Sequence, residues 1–218
     1  MFNYTLKKSK RAKNLSISIN SQGKVTVTKP WFLPVFFLNQ FLQERESWVK
    51  QTLAKIQTDT KLGENEIYYL GQKYQIIFKI GKFKLDFDFP YLQISAYNQQ
   101  AGKRQLMEFL QKEAIKNIKT KIKIYAQKME VQYEQVRIKD QETRWGSCSS
   151  QNNLNFSWRL IMAPPKVLDY VIIHELAHLE QMNHSYKFWD VVEKYDPDYR
   201  ENRRWLKKHQ NEIQNINL

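Results

Sequence analysis

Cysteine occurs once in the 218 residues, at Cys148. A single thiol closes no internal disulfide, which excludes a disulfide-stapled secreted scaffold and points to a reducing compartment. No apolar run approaches the roughly 20 residues that a membrane-spanning helix needs. The most apolar stretch, Trp31 to Leu38, is short and broken by Pro34. The amino terminus has a basic cluster with no apolar segment behind it, so it does not read as a secretory signal. A cytoplasmic location without membrane association is expected. Acidic residues are also under-represented, with 22 Asp and Glu against 35 Lys and Arg and a net charge of +13. That balance favours polyanionic partners, nucleic acid or nucleotides.

Histidine is scarce as well, 4 in all, and three of the four fall in one short stretch. In Val167 to Glu180 the apolar positions Leu168, Ile172, Leu176 and Leu179 recur at helical spacing, and Pro164-Pro165 stand where the helix would start. His174 and His178, four residues apart, then project from one side at a separation that suits two ligands of one metal ion. Glu175 leans toward that ion without ligating it. A catalytic zinc needs a third protein ligand and an open position, and His184 fits the need. Asn183 tolerates the left-handed conformation that ends helices, which would turn the chain back, and Ser185 can cap the helix that follows. A histidine at helical spacing is ordinarily a core or surface residue, but three out of four converging in this way outweigh that reading. One Zn2+ per chain is expected. Three neutral imidazoles would let its bound water titrate near ~7 rather than ~15.7, with Glu175 as base and then acid in a metal-assisted hydrolysis.

Along the chain, alternation predicts strands near Tyr4–Leu6, Leu15–Ile19 and Val25–Val27, in a small antiparallel sheet with a turn at Ser21-Gln22-Gly23. A long amphipathic helix follows from Pro34 to about Ile56, its aromatic residues expected in the core. Strand patterns at Ile67–Leu70, Tyr74–Ile80, Phe83–Phe89 and Leu92–Ser95 precede a second long helix, Leu106 to Met129, whose lysines read as a solvated face. The run Leu154 to Ile161 reads as a strand, and a strand beside the histidine helix would serve as a rail for an extended peptide. Arg144, Trp145 and Arg159 are candidates for contacting substrate. Arg200, Arg203, Arg204, Lys207 and Lys208, on a helix predicted over Tyr199 to Lys208, are candidates for binding nucleic acid. Tyr186, Tyr195, Tyr199 and Arg159 are candidates for stabilising an oxyanion. Cys148 reads as an inert thiol.

Several segments together resemble the YgjP-like family of metal-dependent hydrolases, relatives of the SprT-like and WLM zincin metallopeptidases. They are Lys10 to Ile19 with Gly23 and Pro30, Arg144-Trp145-Gly146-Ser147-Cys148-Ser149, Asn155 to Leu160, His174 to His178 with Asn183-His184-Ser185 and Phe188-Trp189, and Trp205-Leu206. The resemblance implies an α+β chain: a mainly antiparallel β region with a long helix over residues 1–100, then a zincin-like helical catalytic core over 101–218. It also implies His174, His178 and His184 as zinc ligands and Glu175 as the catalytic acid/base of the HExxH motif. The ligand spacing also matches the metzincin pattern, but Gln181 stands where that pattern has glycine. A zinc metallopeptidase acting on a peptide or protein is the first expectation. A metal-dependent nucleotide or phosphoester hydrolase, or a basic nucleic-acid-associated protein carrying a zincin core, are the alternatives.

Overall fold

The computed structural model describes residues 2–19, 24–58, 65–141, 143–214 and 216, with side chains of the first helix described through residue 53. The fold is α+β, and it divides into two compact units, Met1–Lys61 and Leu62–Leu218. No helix among the described residues is long and apolar enough to cross a membrane.

In the first unit, β1 (Thr5–Ser9), β2 (Ser16–Ile19) and β3 (Val25–Pro30) form a sheet of order β1-β3-β2. β2 and β3 make the expected antiparallel pair, but β1 runs parallel to β3, so the sheet is mixed. The turn expected at Ser21-Gln22-Gly23 lies outside the described residues. Val25 and Val27 alternate inward onto Leu38, Leu42 and Val49 of α1 (Val35–Thr58). The aromatics of that helix are not all in the core, as expected, because Phe37 and Trp48 are about half exposed. Each precedes a buried residue by one position, and one residue is about 100° of helix rotation, enough to turn a ring off a narrow apolar stripe.

The second unit begins with β4 (Glu66–Tyr69), β5 (Gln72–Ile80), β6 (Lys84–Asp88) and β7 (Tyr91–Ala96), in the order β4-β5-β7-β6. Tyr74, Ile76, Leu92, Ile94 and Ala96 alternate onto one buried face. Against β7 lies α2 (Gln99–Met129), which begins where Asn98 Oδ1 accepts from the Ala101 amide (2.8 Å) and ends at Glu130 in the left-handed conformation. Leu106, Leu110, Ala114, Ile118, Ile122 and Ala126 repeat every four residues along its buried ridge. The strands β4 to β7, grouped on the sequence with the amino-terminal sheet, thus share a core with the histidine helix. Of the lysines on α2, Lys116, Lys119, Lys123 and Lys128 are exposed as expected, while Lys121 is drawn in to pair with Asp169 at 2.5 Å.

β8 (Gln135–Lys139), β9 (Gly146–Cys148) and β10 (Asn153–Ser157) form a third sheet with β10 in the middle, parallel to β8 and antiparallel to β9, so β9 is an edge strand. The strand expected to run on to Ile161 stops at Ser157, and Trp158–Met162 form a 3₁₀ turn. All five residues of that turn are buried, a continuous run that period-two alternation cannot accommodate with one face in water. Then come α3 (Pro165–Ala177), α4 (Tyr186–Tyr195) and α5 (Tyr199–Gln214), the last running six residues past the expected end at Lys208.

The β4–β5 hairpin is stitched to the entry of α3. Leu70 (φ 50°) and Gly71 (φ 82°) form its two-residue turn, the left-handed pair that matches strand twist. Their amides donate to the carbonyls of Ile161 (3.0 Å) and Met162 (2.9 Å). A Cβ on Gly71 would stand 2.6 to 2.9 Å from atoms of Pro164, backbone included. Gly71→Ala is therefore expected to destabilise the protein by about 2–4 kcal/mol, combining left-handed strain with overpacking. Chemical denaturation of the two proteins checks this, and an unchanged midpoint would contradict the close packing.

Candidate active site

α3 buries Leu168, Ile172, Ile173 and Leu176 at 1% exposure or less, and His174 and Glu175 stand among these apolar residues. Pro165 occupies the first turn, where its missing N–H leaves nothing unsatisfied. The helix stops at Ala177, earlier than expected. His178 nevertheless keeps right-handed helical angles (φ −65°, ψ −19°) at the cap, so it stays on the side that His174 occupies. The chain then turns, with the Gln181 amide bonded to the Ala177 carbonyl at 2.9 Å. Asn183 does not take up the left-handed conformation expected of it. Its side-chain oxygen instead accepts from the Ser185 amide (3.3 Å), and Ser185 stands at the start of α4 without a hydroxyl cap.

This turn returns His184 to the other two histidines. One nitrogen from each of His174, His178 and His184 lies within 4.8 Å of the others, and Nε2 of His174 and Nε2 of His184 are 3.1 Å apart. Among the described residues no other trio of His, Cys, Asp or Glu gathers in this way. A tetrahedral ion with bonds of about 2.0–2.1 Å holds neighbouring nitrogens roughly 3.3 Å apart, so the spacing fits one metal. Protonation states fit too. Burial, and then the neighbouring imidazoles, push His174 down to about 3, which keeps it neutral with a free lone pair. His178 donates Nδ1–H to the Gln181 carbonyl (3.2 Å), which fixes its tautomer and leaves Nε2 as the available donor atom. His174 Nδ1 is buried without a partner. Phe188 is fully buried, its ring centroid 4.6 to 4.9 Å from all three imidazoles, and gives the cluster an apolar floor.

Glu175 is 6% exposed, and burial pushes its carboxyl up to about 8, with Arg144 pulling less strongly the other way. It faces Gly146 at the start of β9. A Cβ there would meet Glu175 Cγ and Oε1 at 2.7 Å, so only glycine lets the edge strand come this close. His174 and Glu175 line a cleft of about 400 Å³ together with Arg144, Trp145, Tyr170 and Arg203.

Of the residues singled out on the sequence, His174, His178, His184 and Glu175 come together, and Arg144 and Trp145 line the same cleft. Arg159 is absent from its lining; it is buried within the 3₁₀ turn and bound to Asp140 through Nε (3.0 Å) and Nη2 (2.9 Å). On α5, Arg200 is occupied by Glu193 (2.6 Å), while Arg203 and Lys207 reach the cleft. Arg204 and Lys208 are exposed. Cys148 is pushed up to about 11 by burial and by Glu175, so it remains a thiol. His209 sits apart, stacked on Trp205 at 4.1 Å. Tyr170 went unnoticed on the sequence, although its place four residues before His174 puts it on the same helix side, with its ring 5.8 Å from the imidazole. Phe188 entered the sequence reading only within a segment that resembles the family, with no role at the site.

Among solved structures the chain is similar to two archaeal metallopeptidase zymogens. One is Pyrococcus abyssi abylysin, 26% identical over 43% of this chain and 95% of that one with a TM-score of 0.39. The other is Methanocaldococcus jannaschii jannalysin, 22% identical over 41% and 95% with a TM-score of 0.36. No curated protein matches. The model of the YgjP-like metallopeptidase domain matches residues 13–209, a span that takes in β9, Glu175 and all three clustered histidines, and the chain belongs to that metallopeptidase family.

Proposed function

We propose that the protein is a zinc-dependent peptidase in which His174, His178 and His184 hold one zinc ion and Glu175 is the general acid/base. The observation that carries this reading is the approach of three imidazole nitrogens to within 4.8 Å of one another beside a buried carboxyl group. A closed structural site has no use for that carboxyl. When bound, such an ion supplies Lewis acidity toward water and a peptide carbonyl.

The chain's own residues do the rest. Glu175 takes a proton from the attacking water and returns it to the leaving amine, and a carboxyl whose affinity for protons is raised by burial suits both halves of that task. Gly146 lets the carboxyl lie against the backbone of β9, so the proton shuttle and the free strand edge adjoin. That edge offers unpaired N–H and C=O groups to an extended peptide, which would place a backbone carbonyl near Glu175. The edge is thus β9, and not β10 as the sequence run suggested, since β10 is flanked on both sides.

Three measurements test the reading. Elemental analysis should find about one zinc per chain, and titration calorimetry of His184→Ala should show affinity reduced by more than the ~10–100-fold that loss of an outer hydrogen-bond partner costs. Unchanged uptake would remove His184 from the site. Against a diverse peptide library, Glu175→Gln should lower kcat by about 10²–10⁴-fold with the metal retained; equal turnover would end the acid/base assignment. The third concerns stability without metal. Glu175 has a folded-state pKa of about 8, above its ordinary 4.5, so its burial costs nothing below pH 4.5 and progressively more as pH rises to about 8. The Tm advantage of Glu175→Gln over the metal-free parent should therefore grow between pH 5 and pH 8. A constant difference would mean that the carboxyl is not desolvated.

A further inference from the structure

The cleft beside Glu175 is lined by three cations, Arg144 before β9 and Arg203 and Lys207 from α5, and by no acidic residue except Glu175 itself. Among the described residues none of the three pairs with a carboxylate. Three other basic groups of this unit are paired: Arg159 with Asp140, Lys121 with Asp169, Arg200 with Glu193. Three cations thus converge on the cleft where substrate would enter, and their fields add there.

Arg203 is also held in place. Its guanidinium lies 5.1 Å over the Trp189 ring, and Trp189 stacks on Tyr199 at 5.2 Å and 17°. Trp189 is in turn 5.8 Å from the rings of both His174 and His184. A planar fork of donors laid on an indole beside the histidine cluster loses little freedom on meeting a carboxylate, which it can grip with two parallel bonds. A continuous phosphate track along α5 fits less well, because Arg200 is already paired and Arg204 turns its Nε to the Arg200 carbonyl at 3.3 Å.

We propose that this cleft selects peptide substrates by a carboxylate, received by Arg203 and Lys207 with Arg144. The inference rests on the peptidase reading and names its substrate class: peptides bearing an acidic side chain, or a free C-terminus, close to the bond that is cut.

Two peptide pairs separate the sources of the carboxylate, one differing as Glu against Gln at an internal position and one as C-terminal acid against amide. With zinc-loaded protein, the acidic member of at least one pair should have a kcat/KM higher by about tenfold. The ratio should fall toward one in Arg203→Gln and in Lys207→Gln, and Arg203→Lys should restore part of it. Fluorescence anisotropy on Glu175→Gln reads binding alone. The acidic peptide should bind more tightly, with the preference shrinking as salt rises from about 50 to about 500 mM. Acidic peptide bound selectively but never cut would uphold the subsite and defeat the peptidase reading. Cleavage with no acid preference, or a preference that survives both Gln variants, would overturn the subsite and leave the peptidase standing. A single-stranded oligonucleotide that displaces the acidic peptide at a lower concentration than unlabelled peptide does would also overturn it, in favour of a nucleic-acid site.

Discussion

Between β9 and α3 there is room at residue 146 for a hydrogen atom and nothing larger. That single approach ties the edge of a sheet to the one carboxyl on the buried side of the histidine helix, with a virtual Cβ only 2.7 Å from Glu175 Oε1. The separation of the two elements is not set by Glu175, which gains little from burial. Other contacts hold α3 and the turn that leads into it. The 3₁₀ turn packs on α2, the β4–β5 hairpin donates two amides to that turn, and Asp169 pairs with Lys121. A small error in any of these would leave the carboxyl either exposed or in collision with the strand.

The apolar residues of α3 offset what its polar ones cost. A fully buried Leu or Ile is worth about 1.5–3 kcal/mol, and four of them flank His174 and Glu175 at near-zero exposure. Two groups that burial drives toward neutrality, one pushed down to about 3 and the other up to about 8, can therefore sit on the same helix without unravelling it. Desolvation also readies each for chemistry: a neutral imidazole presents a lone pair, and a carboxyl that binds protons more tightly can both accept and return one.

Much of the site was legible because it is local. His174, Glu175 and His178 follow from one helical period, and His184 lies only six residues further along the chain. The turn that brings His184 back was read with the wrong chemistry, since Asn183 works through its side chain rather than through a left-handed backbone. What lay beyond reading was tertiary. Nothing in the order of residues separates Arg159, buried against Asp140, from Arg144, open to the cleft, because the difference lies in a partner nineteen residues upstream. The basic side of α5 was visible as amphipathic spacing, but that Arg203 lies over Trp189 of α4 and lines the cleft depends on how the helices pack. The fold was legible in the same way, element by element. Strand runs and both long helices were read from periodicity, while the shared core of α2, β4–β7 and α3 depends on which faces meet.

The net charge of +13 shows how little a total says by itself. Spread over the chain, it suggests a generic affinity for polyanions. In the folded second unit several cations are cancelled locally by Asp140, Asp169 and Glu193, and others on α2 face open solvent where salt screens them within about 10 Å. Three unpaired cations, in contrast, converge on one cleft beside Glu175. The charge that matters is the residue of this local pairing, and it stands beside an edge strand whose backbone groups are free along one side. A strand edge reads any sequence alike, since it bonds to backbone, so discrimination at such a site has to come from side-chain pockets. The cation-lined cleft is the pocket of that kind that adjoins both β9 and the histidine cluster, which is why its chemistry, and not the sum of charges, bears on what this protein cuts.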